Sequence, residues 1–194
     1  MRQDGQIEIL TLCGSIRERS YNAALIRALP ALSPGGMVFV EAPLIVNIPH
    51  YDADLQQLSG PPSAVAALVT AIRDADGVLI ASPEYNYSVP GPLKNAIDWV
   101  SRVPKQPFAA KPVLIQSVSG GLLGGARMQY HLRQVLVSLD ALVFTRPEVM
   151  IGMAPTKFDE QGNLTDEATQ TMVRTQLAAF ATFVKAYGQK PQVV

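Results

Sequence analysis

Apolar positions along this chain alternate between two periodicities. Nearly continuous apolar runs at Ile7–Cys13, Met37–Ala42, Gly77–Ser82, Lys111–Val118 and Ala141–Thr145 predict five strands covered on both faces, as in a parallel sheet. Helical stripes lie between and after them. Val65, Leu68, Val69 and Ile72 recur at i, i+3, i+4, i+7, as do Leu93, Ala96, Ile97 and Val100. Leu132, Val135, Leu136 and Leu139 repeat the pattern, then Leu177, Phe180, Ala181 and Val184; Leu25, Leu29 and Leu32 give a shorter version. The order βαβαβαβαβα implies an α/β three-layer sandwich with a five-stranded parallel sheet, ordered 2-1-3-4-5. Neither a repeat nor a linker interrupts it, so residues 1–194 are expected to form one domain. Pro43 to Gly60 reads as an unusually long connection, of the kind that is often functional. Gln189–Val194 reads as a loose tail.

In such a sheet, ligands bind beyond the carboxyl ends of the strands, at the switch in strand order. The loops after strands one, three and four should therefore face the ligand. The first, Gly14 to Asn22, runs into a helix start, where free N–H groups and the helix dipole favour an anion. Ser15, Ser20 and Asn22 add short polar groups, and Arg17 adds a cation. The simpler reading is that Ser20 or Asn22 only caps the helix. The second loop, Ser82 to Pro92, sets Tyr85 and Tyr87 among three prolines. A stiff backbone beside presented rings suits a flat heterocycle. The third, Ser119 to Gly125, has four glycines that permit close backbone approach. It is not the dinucleotide fingerprint G-x-G-x-x-G.

Composition narrows the field. Sixteen basic and sixteen acidic residues balance, which argues against a nucleic-acid partner. The charged fraction of 16% suggests further surface buried in an oligomer. One cysteine and two well-separated histidines supply no metal site and no internal disulfide. The chain start lacks a signal-peptide pattern, and no apolar run reaches the about 20 residues of a membrane span, so a cytoplasmic protein is expected. His50 and Tyr51 in the long connection read as a site edge, an interface or plain surface. Arg127, Tyr130 and Glu148 read as links between subunits or as solvated side chains, and Trp99 as packing helix on sheet.

Two segments carry a family resemblance. Gly14-Ser15-x-Arg17-x-x-Ser20-x-Asn22 and Pro83-Glu84-Tyr85-Asn86-x-Ser88-x-Pro90-Gly91-x-Leu93-Lys94-Asn95-x-x-Asp98-Trp99 resemble the NADPH-dependent FMN reductase family, in particular its bacterial chromate and quinone reductase branch. The resemblance implies a flavodoxin-like fold, non-covalent FMN, and a homodimer or homotetramer. It implies an NADPH- or NADH-dependent reduction of quinones and other small oxidants, with chromate, azo compounds and free flavin as further candidates. Ser15, Ile16, Arg17, Ser20, Tyr21 and Asn22 would hold the FMN phosphate. Pro83, Glu84, Tyr85, Asn86 and Tyr87 would line the isoalloxazine edge, with Ser119 and Gly120 on the other side. The cofactor carries such ping-pong chemistry, so no acid–base residue is assigned.

Two other functions compete. Cys13 to Ser20 also fits C-x5-R-S, the phosphate loop of low-molecular-weight tyrosine phosphatases, with Cys13 as thiolate nucleophile. Those enzymes resemble one another in a downstream Asp-Pro acid, and this chain has no Asp-Pro pair. A buried structural Cys13 is the preferred reading. A flavodoxin-type electron carrier would be strongly acidic, for steering toward its partners, and this chain is neutral.

Overall fold

The structure, a computed structural model, describes residues 5–188, so the tail 189–194 lies outside it. The expected strand order is observed. Strands β1 (Ile7–Cys13), β2 (Met37–Glu41), β3 (Gly77–Ala81), β4 (Pro112–Val118) and β5 (Leu142–Val143) lie in the order β2-β1-β3-β4-β5, all pairs parallel. Alternation along β1 explains the three layers. Ile7 and Ile9 face a core shared with α1 (Tyr21–Leu32) and α6 (Glu167–Tyr187). Leu10 and Leu12 face the opposite core, shared with α3 (Ser63–Asp74), α4 (Gly91–Val100) and α5 (Ala126–Val137). The stripe residues Val65, Leu68, Val69 and Ile72 of α3 are all buried, as are Leu177, Phe180, Ala181 and Val184 of α6.

Two readings need correction. The edge beyond β4 is divided: β5 pairs only with Pro112 and Val113, and a sixth strand, β6 (Val149–Ile151), pairs with Gln116 to Val118. The intervening Pro147 has no N–H to donate to a ladder. Three residues are too few to announce a strand by periodicity. The second correction concerns residues 43–60, which are not one long loop. They hold a 3-10 turn (Ile45–Asn47) and a helix, α2 (Ala53–Ser59). No residue of α2 is buried, so it shows no apolar stripe, and Asp52 caps it by accepting from Asp54 N and Leu55 N. The segment is anchored on α4. The Trp99 indole N–H donates to the Pro49 carbonyl at 2.9 Å, and Asn95 binds both that carbonyl and the Tyr51 N–H. Trp99 thus packs in the core, as expected, and also anchors this connection. Tyr51 rests edge-on against the Trp99 ring, while His50 is exposed.

The carboxyl ends of β1 and β3 finish level, with Cys13 opposite Ala81, and Ala81 in turn lies opposite Gln116 of β4. Gly14 makes the close fit possible. A Cβ there would stand 2.3 Å from Ser82 Oγ, so only glycine lets the two chains leave the sheet side by side.

Candidate functional site

The three loops that leave this rim are tied to one another. The Gly14 N–H donates to the Ala81 carbonyl, joining the first loop to the second. Asn22 joins the first to the third. Its amide donates to the Val118 carbonyl at 3.0 Å and accepts from the Val118 N–H at 2.9 Å. Glu84 joins the second loop to α5, which follows the third. Its carboxylate accepts from the backbone N–H groups of Arg127 and Met128. The N-cap position of α5, Gly125, offers no side chain, so Glu84 serves as a helix cap supplied from another segment.

The second loop ends in a two-residue turn. Tyr85 and Ser88 exchange both backbone hydrogen bonds, at 3.1 and 3.0 Å. Asn86 and Tyr87 between them adopt φ of 47° and 69°. A bulky residue in the left-handed region is strained. Its neighbours hold it there: the Arg127 guanidinium lies 3.6 Å from the Tyr87 ring centroid and forms an ion pair with Glu84. Ser88 also contacts the ring of His131 at 3.1 Å. Tyr85, Asn86 and Tyr87 remain exposed on a backbone fixed from below.

The sequence-selected residues therefore divide by role. Ser15, Ile16 and Arg17 lie on the open loop, which Arg17 bridges by donating to the Arg19 carbonyl, and Tyr21 is the first residue of α1, half-buried against Phe158. Ser20 is buried and caps α1 by accepting from the Asn22 N–H. Asn22 is buried with its amide engaged by Val118. The Glu84 carboxylate is likewise engaged, by α5. These three side chains shape the loops. Pro83 and Ser119 are half-buried, and Gly120 is exposed, with no atom within 4 Å of where a Cβ would stand. Arg127 contacts Glu84 and Tyr87, while Glu148 pairs with Arg133 and contacts Tyr130 at 3.5 Å.

Backbone donors remain. Among the described residues, the N–H groups of Ile16, Glu18, Arg19 and Tyr21 on the first loop have no acceptor. The same holds for Asn86 and Tyr87 on the second loop and for Gly120 and Gly121 on the third. Free N–H groups at a helix start suit a phosphate. Donors on two stiff loops beside exposed rings suit the carbonyl and nitrogen edge of a planar heterocycle. The chemistry of this donor set fits FMN.

Cys13 belongs to the β1 ladder, opposite Ala81. Burial pushes its thiol up from the ordinary range, partly offset by hydrogen bonds from Ser15 and Ser20. The charged groups it senses are Arg27 and Glu41, not the Arg19 of the C-x5-R-S pattern. A phosphatase nucleophile needs the opposite shift.

Comparison with known proteins gives the family and the fold. The family model for NADPH-dependent FMN reductase matches residues 7–156. A quinone reductase of Escherichia coli K12 is 52% identical over 181 residues, covering 93% of this chain and 96% of that protein. An NAD(P)H-dependent FMN reductase of Pseudomonas aeruginosa is 47% identical, covering 92% and 96%. Among solved structures, a flavoenzyme NAD(P)H:(acceptor) oxidoreductase from Paracoccus denitrificans superimposes with a TM-score of 0.85 at 32% identity, covering 94% of this chain and all of that one.

Proposed function

Because the chain belongs to the NADPH-dependent FMN reductase family, we propose that it is an FMN-dependent NAD(P)H oxidoreductase that reduces quinones. One observation carries this reading: three cross-tied loops at the switch in strand order present unpaired N–H groups beside two exposed tyrosines. When bound, FMN supplies the hydride-accepting and two-electron-donating chemistry. The protein binds, orients and shields.

The free N–H groups of Ile16 and Tyr21, with Ser15 and Arg17, hold the phosphate. Ser20 and Asn22 keep that loop in shape. The turn from Pro83 to Tyr87 lines the ring edge, and its N–H groups stabilise negative charge there without reorganising. Ser119 and Gly120 close the other side. Access over exposed loops leaves room for other small oxidants, with chromate, azo compounds and free flavin as candidates. A homodimer or homotetramer is part of this reading, supported by the exposed apolar side chains Leu122, Leu123 and Met153 around the third loop. So is a cytoplasmic setting, where reduced nicotinamide is at hand; among the described residues no helix is long and apolar enough to cross a membrane.

The test is spectroscopic. Protein reconstituted with FMN is expected to show a visible flavin band that anaerobic NADPH bleaches and a quinone restores, with no partner protein. Failure to take up FMN overturns the reading, and a requirement for a ternary complex in steady-state kinetics overturns the ping-pong sequence. Cys13→Ser is expected to retain most of the quinone reductase activity, because the thiol is a half-buried group at a strand end with a raised pKa. Complete loss with FMN still bound would give the thiol a role in the reduction and overturn its reading as a structural group.

A further inference from the structure

A cleft of about 850 Å³ lies beside the first loop, away from the turn at 83–88. Its volume is in the range of small-molecule sites. One wall is the first loop, with Arg17 and Arg19, and the first two turns of α1, with Arg27. The other is the turn 159–162 of a hairpin that Phe158 and Leu164 close. Residues 159–162 lie beyond the span that the family model matches.

The arginines are the unusual feature. Arg17 is held by the Arg19 carbonyl. The side chains of Arg19 and Arg27 make no ion pair or hydrogen bond among the described residues, although three carboxylates share the cleft. Asp159 is occupied by the Asn163 N–H and amide, at 2.7 and 2.9 Å, which hold its carboxyl below the ordinary range. Gly162 lets the turn approach Arg27 closely; a Cβ there would stand 3.2 Å from Nη2. Tyr21 adds an aromatic ring, backed by Phe158 at 5.4 Å between centroids.

We propose that this cleft binds the adenosine 2′-phosphate end of NADPH and favours it over NADH. The inference rests on the functional reading above, in which the neighbouring loop holds the FMN phosphate. A nicotinamide stacked on the flavin ring must lead its adenosine half away across the protein surface. The cleft shares Arg17, Ser20 and Tyr21 with the phosphate loop, so it lies at the phosphate end of the flavin site. Two free guanidinium groups match a phosphomonoester, which accepts forked hydrogen bonds. Glu18 and Glu160 on the walls can accept from ribose hydroxyl and adenine amino groups. A cleft of mixed sign thus suits a nucleotide better than a simple anion.

The experiment compares kcat/KM for NADPH and NADH in FMN-loaded wild type, Arg19→Ala and Arg27→Ala. It adds inhibition by 2′-AMP and by 5′-AMP. Losing one charge-assisted contact is expected to lower the NADPH-to-NADH ratio about tenfold or more. In the wild type, 2′-AMP should compete with NADPH better than 5′-AMP does, and each variant should narrow that gap. An unchanged ratio, or equal losses for both donors, overturns the proposal. Release of FMN from either variant also overturns it, since the arginines would then serve the cofactor. A wild type that binds FMN but oxidises neither donor refutes the functional reading instead, and is distinguished by the absence of any bleaching.

Discussion

Glu84→Ala is expected to destabilise the protein by about 3 kcal/mol and to weaken FMN binding at least tenfold. Breaking a buried ion pair by removing one partner costs about 3–5 kcal/mol. The lower end applies because the Arg127 side chain keeps 39% of its exposure, against 8% for Glu84. The loss has two parts. The Arg127 and Met128 N–H groups at the start of α5 lose their acceptor, and a helix cap alone is worth about 1 kcal/mol. Arg127 also loses the partner that holds it over Tyr87. The left-handed conformation at Tyr87 costs about 1–3 kcal/mol, so the freed turn should relax and take its N–H groups out of alignment. Glu84→Gln keeps an acceptor for the backbone N–H groups and should lose roughly half as much. Urea unfolding without FMN, followed by fluorescence titration with FMN, separates the two effects. Wild-type stability in Glu84→Ala would show that the cap and clamp contribute nothing.

The same residue shows what the sequence makes legible. Strand order followed from five apolar runs and the right-handed crossover rule, because burial on both faces leaves a strong signal. The three loops followed from where such a sheet binds its ligands. What lies outside that reach is which way a side chain turns. Glu84 stands inside a distinctive motif, yet its carboxylate points at α5, 43 residues away in sequence. Only the meeting of two loops fixes that direction. Arg127 presents the same difficulty: the sequence reads it as a subunit link or a solvated side chain, and its contacts with Glu84 and Tyr87 follow only from the fold. Helix α2 and strand β6 are missed for a different reason. The first buries nothing and the second is three residues long, so neither imposes a periodicity. The cleft at Arg19 and Arg27 brings a loop after β1 against a turn after β6, and no local pattern announces such a pairing.

Asn22→Asp is expected to cost about 3 kcal/mol at neutral pH, and to do so in the protein without FMN. Asn22 is 2% exposed and meets Val118 with both ends of its amide. Aspartate keeps the shape and the acceptor, but sets a second oxygen against the Val118 carbonyl. A buried polar group left unpaired costs about 1–3 kcal/mol, and more when charged. Because the folded state disfavours the ionised form, the folded pKa of the introduced carboxyl must rise above the ordinary aspartate value of about 3.9. The sign follows from linkage. The deficit is full above the folded pKa and shrinks as pH falls. It is smallest below about 3.9, where the protonated carboxyl can again donate to Val118. Urea midpoints of variant and wild type should therefore converge on acidification. If Asn22 acted only as a direct phosphate ligand, the protein without FMN would be unaffected and only FMN affinity would fall. A stability loss without FMN, reversed by acid, identifies Asn22 as the residue that fixes the phosphate loop to the end of β4 before any cofactor arrives.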